Sequence, residues 1–143
     1  MQKLFVVLSF VFALFLLLPT GICKSYHYDY VKVDVYLQEN GSVYVKQERD
    51  YNFDGSFTYA YIDFLKKGSN EITILNIVDL DSGIQPIYEI DDNSESVKVT
   101  WYYSSNYEVK KFLIEYVIKD AVKKYDDVAE FYWKMIEQFM QSN

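Results

Sequence analysis

Apolar and polar positions alternate with period two through most of the chain after residue 24. Val31, Val33, Val35 and Leu37 alternate with Tyr30, Lys32, Asp34 and Tyr36. Val43, Val45, Gln47, Arg49, Tyr51 and Phe53 then share one side of a second run. This is the pattern of half-buried strands. Asn40-Gly41 separates the two runs and marks a hairpin. A two-residue loop would set Val35 against Lys46 and mix the faces. A three-residue loop, Glu39-Asn40-Gly41, sets Leu37 against Val43 and Val35 against Val45, with Asp34 opposite Lys46 and Lys32 opposite Glu48. The pattern therefore predicts a type I turn with Gly41 in a left-handed bulge.

Asp54-Gly55 forms the next turn. The run from Phe57 to Phe64 is apolar on both faces, which predicts an interior strand. Glu71 to Leu80 follows the loop of residues 66–70, with Ile72, Ile74, Val78 and Leu80 on one face. Asp81-Ser82-Gly83 turns the chain, and Pro86 marks Ile84 to Ile90 as an edge strand. Val97 to Tyr103 alternates again. Ser104-Ser105-Asn106 reads as a turn, and Tyr107 to Ile118 as a long strand with Phe112, Ile114, Tyr116 and Ile118 on one face. After Tyr125-Asp126-Asp127 the spacing becomes helical. Val128, Phe131, Tyr132, Met135, Ile136, Phe139 and Met140 form one stripe, predicting an amphipathic helix over 127–141 with Asp127 and Glu130 at its start. The expected fold is mainly β, an antiparallel β-sandwich with one C-terminal helix.

The first 23 residues stand apart. Lys3 precedes an apolar run from Leu4 to Leu18, and Pro19, Thr20 and Gly21 end it. This is the layout of a signal peptide, short for a membrane span, with Gly21 and Cys23 placed for cleavage before Lys24. An uncleaved anchor, or a lipid on Cys23, remains open. Each places residues 24–143, a single domain, outside the cytoplasm. Cys23 is the only cysteine, so no intrachain disulfide is available.

Charge and composition narrow the function. The chain carries a net charge of −7, and with Lys3 in the leader its remainder holds 13 basic against 21 acidic residues. That balance argues against a nucleic-acid partner. His27 is the only histidine, which excludes the common zinc sites and histidine-based triads. Asp79-Asp81-Ser82-Gly83 and Asp91-Asp92-Asn93-Glu95 lack the spacing of a calcium loop and read as solvated acidic turns. No carboxylate pair stands out for glycoside hydrolysis. We expect no catalytic residues, no metal and no cofactor. The 15 tyrosines suit two-faced strands first and a binding surface second. Tyr102, pointing away from the Trp101 face, and Trp133, at the margin of the helical stripe, are the candidate binding residues.

Several runs carry a resemblance. They are the hairpin Asn40 to Val45, then Glu48, Tyr51, Phe53, Gly55 and Phe57, then Thr100-Trp101 and Phe112 to Tyr116. The most specific is Tyr125-Asp126-Asp127-Val128-Ala129-Glu130-Phe131-Tyr132-Trp133-Lys134. Together, over about residues 26–136, the chain resembles the extracytoplasmic N-terminal domain of the domain-of-unknown-function 2207 family of predicted membrane proteins. The resemblance implies a signal sequence and a β-rich domain outside the cell, with more strands, membrane helices and a glycine-rich tail beyond it. Since the sequence stops at Asn143, it looks like a truncated member. A membrane link would then run through the leader if uncleaved, or through a missing C-terminal span. The family implies no activity and no catalytic residues. The expected role is an interaction or sensing module of a secreted or membrane-associated protein, its partner an unknown protein or cell-envelope component. The alternative is a carbohydrate- or wall-binding module using exposed tyrosine and tryptophan.

Overall fold

The computed structural model describes residues 24–66 and 71–135. The leader, part of the loop at 66–70 and the end of the expected helix, 136–141, lie outside the described residues.

Among the described residues nine strands form in chain order: β1 (Ser25–Leu37), β2 (Val43–Asp54), β3 (Ser56–Leu65), β4 (Glu71–Asp79), β5 (Tyr88–Asp92), β6 (Ser96–Asn106), β7 (Val109–Lys119), β8 (Val122–Lys124) and β9 (Ala129–Phe131). All pairings are antiparallel. One sheet has the order β1-β2-β7-β4, a second β3-β6-β5, and β8 pairs with β9 alone.

The first hairpin has the expected register: Leu37 lies opposite Val43, Val35 opposite Val45, Asp34 opposite Lys46 and Lys32 opposite Glu48. Gly41 has φ +83°, and its N–H donates to Gln38 O at 3.0 Å while Gln38 N–H donates to Ser42 O at 2.9 Å. That is a type I turn closed by a left-handed glycine bulge.

The inner faces of the two large sheets share one core. Val43, Val45, Tyr51 and Phe53 of β2 are buried with Phe112, Ile114, Tyr116 and Ile118 of β7. The second sheet contributes Ile62, Phe64, Val97, Val99 and Trp101. Aromatic rings bridge the sheets: Trp101 lies 5.6 Å from Phe112, Phe64 4.5 Å from Tyr116, and Phe53 5.5 Å from Tyr103. Such offset and tilted pairs are favoured over face-to-face stacking.

Four expectations change, besides the edge strand expected over Ile84 to Ile90, which forms instead at Tyr88–Asp92. β3 is not an interior strand. It pairs with β6 alone, so Ile62 and Phe64 are buried while Tyr59 and Tyr61 face outward. Its two apolar faces meet different surroundings, core on one side and solvent on the other. In β4 the register slips between Ile74 and Asn76. This bulge turns Ile77 inward behind Ile72 and Ile74 and leaves Leu80 exposed. The Ser104–Asn106 turn lies further on, at Tyr107 (φ +51°), and Ser105 is buried in β6. The connection there passes from one sheet to the other, as does the one at Gly55. The two run side by side, Tyr107 N–H donating to Gly55 O at 3.1 Å.

The fourth change is the helix. Residues 127–135 contain none. Tyr125 to Val128 is a turn closed by Tyr125 N–H to Val128 O at 2.8 Å, and Val122, Lys123 and Lys124 pair with Phe131, Glu130 and Ala129. The apolar residues of this segment fit two periods at once. Phe131, Trp133 and Met135 also alternate, and these three pack against the core. Tyr132, a member of the helical stripe, is 87% exposed. Aromatic residues in succession favour the extended chain, and an isolated helix of this length gains little by itself.

Candidate functional site

The inner face of β2 has two polar positions between its apolar ones. Alternation sends Gln47 and Arg49 inward with Val45 and Tyr51, and both are buried. Buried polar groups require partners, and these have them. The Gln47 amide nitrogen donates to Tyr116 Oη at 3.0 Å and to Met135 O at 2.7 Å. Gln47 Oε1 accepts from Arg49 Nε at 3.2 Å and Nη2 at 2.8 Å. Arg49 Nη1 donates to Tyr28 Oη at 3.1 Å, and the guanidinium lies 5.4 Å from the Tyr28 ring centre. Burial pushes the Tyr51 and Tyr116 hydroxyls above their ordinary values, with Arg49 opposing. Both are therefore neutral at physiological pH, and Tyr116 Oη accepts from Gln47 while Tyr51 Oη accepts from Tyr28. The network ties β1, β2 and β7 to the C-terminal segment.

Beside it, at the free edge of β3, is a cleft of about 250 Å³. Arg49, residues 62–65 of β3 and residues 132–135 line it. Trp133 is half-buried and forms part of its wall. One oxygen of Asp63, which also borders the cleft, is buried without a hydrogen-bond partner.

Tyr102 is elsewhere. It projects from the outer face of the second sheet, directly opposite Tyr59 of β3. Tyr59 is 50% exposed, Tyr102 41% and Tyr61 37%. The Tyr102 hydroxyl donates to Glu89 at 3.0 Å, and this bond raises its pKa. Lys98 Nζ sits 4.4 Å from the centre of the Tyr61 ring. The structure thus separates the two residues singled out by sequence: Tyr102 belongs to an open tyrosine face, Trp133 to the cleft wall.

Tyr59 and Tyr61 escaped notice because β3 reads as an interior strand. Gln47 and Arg49 carried a visible signal, two successive polar residues at inward positions of an otherwise apolar face. The acidic turns serve the backbone. Asp79 Oδ1 accepts from the N–H groups of Asp81 and Ser82 at 2.9 and 3.1 Å. Asn93 Oδ1 accepts from those of Glu95 and Ser96, both at 2.9 Å. Among the described residues no group of three His, Cys, Asp or Glu side chains could hold a metal ion. His27 lies near the surface, its Nε2 3.0 Å from Asp29.

Among the described residues no helix is long and apolar enough to cross a membrane. No curated protein matches the chain. The family model described as the N-terminal domain of a predicted membrane protein (DUF2207) matches residues 28–140. That match covers both sheets, the tyrosine face and the cleft, and by it the chain belongs to the DUF2207 predicted membrane protein family.

Proposed function

We propose that this domain is an extracytoplasmic interaction or sensing module of a membrane-associated protein, with its two sheets packed as an antiparallel sandwich and no catalytic role of its own. The observation that supports this is the outer tyrosine face. Tyr59, Tyr61 and Tyr102 lie on two adjacent strands, half in solvent, on a surface that the core does not need. Tyrosine offers large contact area with few rotatable bonds and a polar tip, as binding surfaces do. The family membership supports the link to a membrane. The cell envelope supplies the partner in this reading.

The adjacency of Tyr59 and Tyr102 also favours a second reading, carbohydrate binding by ring stacking, with Tyr59 in place of the more distant Trp133. One experiment separates the two. The protein is incubated with soluble wall polysaccharides and with detergent-extracted envelope proteins, using wild type and Tyr59→Ala/Tyr102→Ala. The interaction reading expects retention of an envelope protein by wild type only and no polysaccharide effect on the thermal midpoint. A polysaccharide-induced rise in midpoint that the double variant lacks establishes the carbohydrate reading instead. Equal behaviour of wild type and variant in both arms removes the tyrosine face from either function. EDTA is expected to leave the midpoint unchanged.

A further inference from the structure

The geometry points to the cleft at the free edge of β3 as a binding site for a carboxylate on a compact apolar body, received by Arg49. Arg49 is only 4% exposed, yet its side chain borders the cleft. Among the described residues it forms no ion pair. Its partners are the neutral oxygens of Gln47, Tyr28 and Tyr51. A guanidinium has five N–H donors. Gln47 takes one on Nε and one on Nη2, and Tyr28 takes one on Nη1. The Tyr51 hydroxyl takes another, and the one donor that remains can receive a carboxylate oxygen.

The charge is held in place by a built support. Gln47 cannot turn its oxygen away from Arg49 without giving up its amide bonds to Tyr116 and Met135. A buried cation without a counter-charge is costly, and an anion entering the cleft removes that cost. Ile62, Phe64, Leu65, Trp133 and Met135 make the remaining wall largely apolar. Asp63 borders the cleft too, from the opposite side of β3 to Ile62 and Phe64. Lys134 lines the cleft as well, so two cations stand there against the one carboxylate of Asp63. The preference is for an organic carboxylate rather than a bare, strongly hydrated anion.

The test uses the full 143-residue chain and 3-phenylpropionate, with its neutral amide, acetate and inorganic phosphate as comparisons. Trp133 lines the cleft and Trp101 is buried in the core, so a fluorescence change on titration reports the site. We expect 3-phenylpropionate to bind at least tenfold more tightly than its amide, acetate or phosphate, and Arg49→Lys to remove most of that preference. The acid–amide comparison needs no variant, so it stands even where Arg49→Lys fails to fold. Equal binding of acid and amide overturns the proposal. It is also overturned if none of the four binds.

Discussion

Gly41 adopts φ +83° at the tip of the first hairpin, where a residue with a β-carbon is disfavoured and a β-branched one more so. A Cβ there would meet nothing closer than 3.9 Å, so backbone strain rather than collision sets the cost. Gly41→Val is expected to destabilise by about 1–2 kcal/mol, read as a lowered urea midpoint with an unchanged slope. An unaltered midpoint would show that the turn relaxes freely. A second residue-scale expectation concerns Tyr44. Its hydroxyl donates to the Glu115 carboxylate, and this bond, with burial and the carboxylate charge behind it, pushes the phenol from 10.0 up to about 12. The folded chain then holds a proton that the unfolded chain releases. The stabilisation is complete below pH 10 and is lost as pH rises towards 12. Glu115→Gln should move one tyrosine of the phenolate absorbance titration back towards its ordinary value. A titration curve identical to wild type would show that the bond is not formed in solution.

At the scale of elements, the C-terminal segment is the sharpest departure from expectation. Lys124 and Ala129 face one another across the β8–β9 ladder. In a chain with Cys23→Ser, the pair Lys124→Cys and Ala129→Cys should close a disulfide under mild oxidation, since facing strand positions have the required separation. A free dithiol that persists under oxidant, together with helical circular dichroism, would restore the helix. Phe131 packs against the core, and Phe131→Asp is expected to cost about 2–4 kcal/mol through the buried charge. Full retention of the urea midpoint in this variant would mean that the hairpin is not docked. The strands β2, β6 and β7 were readable because each has one wet face and one dry one, and a one-residue slip would invert every side chain; β1 was readable from its alternation and its register with β2, although Val35 and Leu37 are exposed. The hairpin register was readable for the same reason. β3 was misread because an edge strand with tyrosines outside is as apolar as an interior one. The bulge in β4 leaves no mark in composition. Residues 128–135 satisfy periods of 2 and 3.6 together, and only the partner strand β8 and the Gln47 amide decide between them. The cleft was out of reach because it joins β2, β3 and the C-terminal segment, which alternation within each strand cannot relate.

For the whole molecule, the order of the sheets governs how it must fold. β2 pairs locally with β1, but its other edge pairs with β7, bringing Val43 against Ile118 and Asn52 against Val109. The connections at Gly55 and Tyr107 both carry the chain from one sheet to the other and hydrogen-bond to each other. Neither crossing can be completed before the other is near. The core therefore depends on closing large loops, a cost paid before the contacts that reward it. Trp101 is fully buried between Tyr51 and Phe112, so its fluorescence follows core assembly. Refolding is expected in the milliseconds-to-seconds range typical of non-local β topologies. Phe112→Ala removes a ring shared by Tyr51, Trp101 and Tyr103 and is expected to cost about 3–5 kcal/mol, the largest loss among the substitutions considered. The hairpin variant Gly41→Val, acting on a local turn, should change stability far less. Microsecond refolding, or a smaller loss for Phe112→Ala than for Gly41→Val, would show that the β1–β2 hairpin and not the shared core holds the two sheets together.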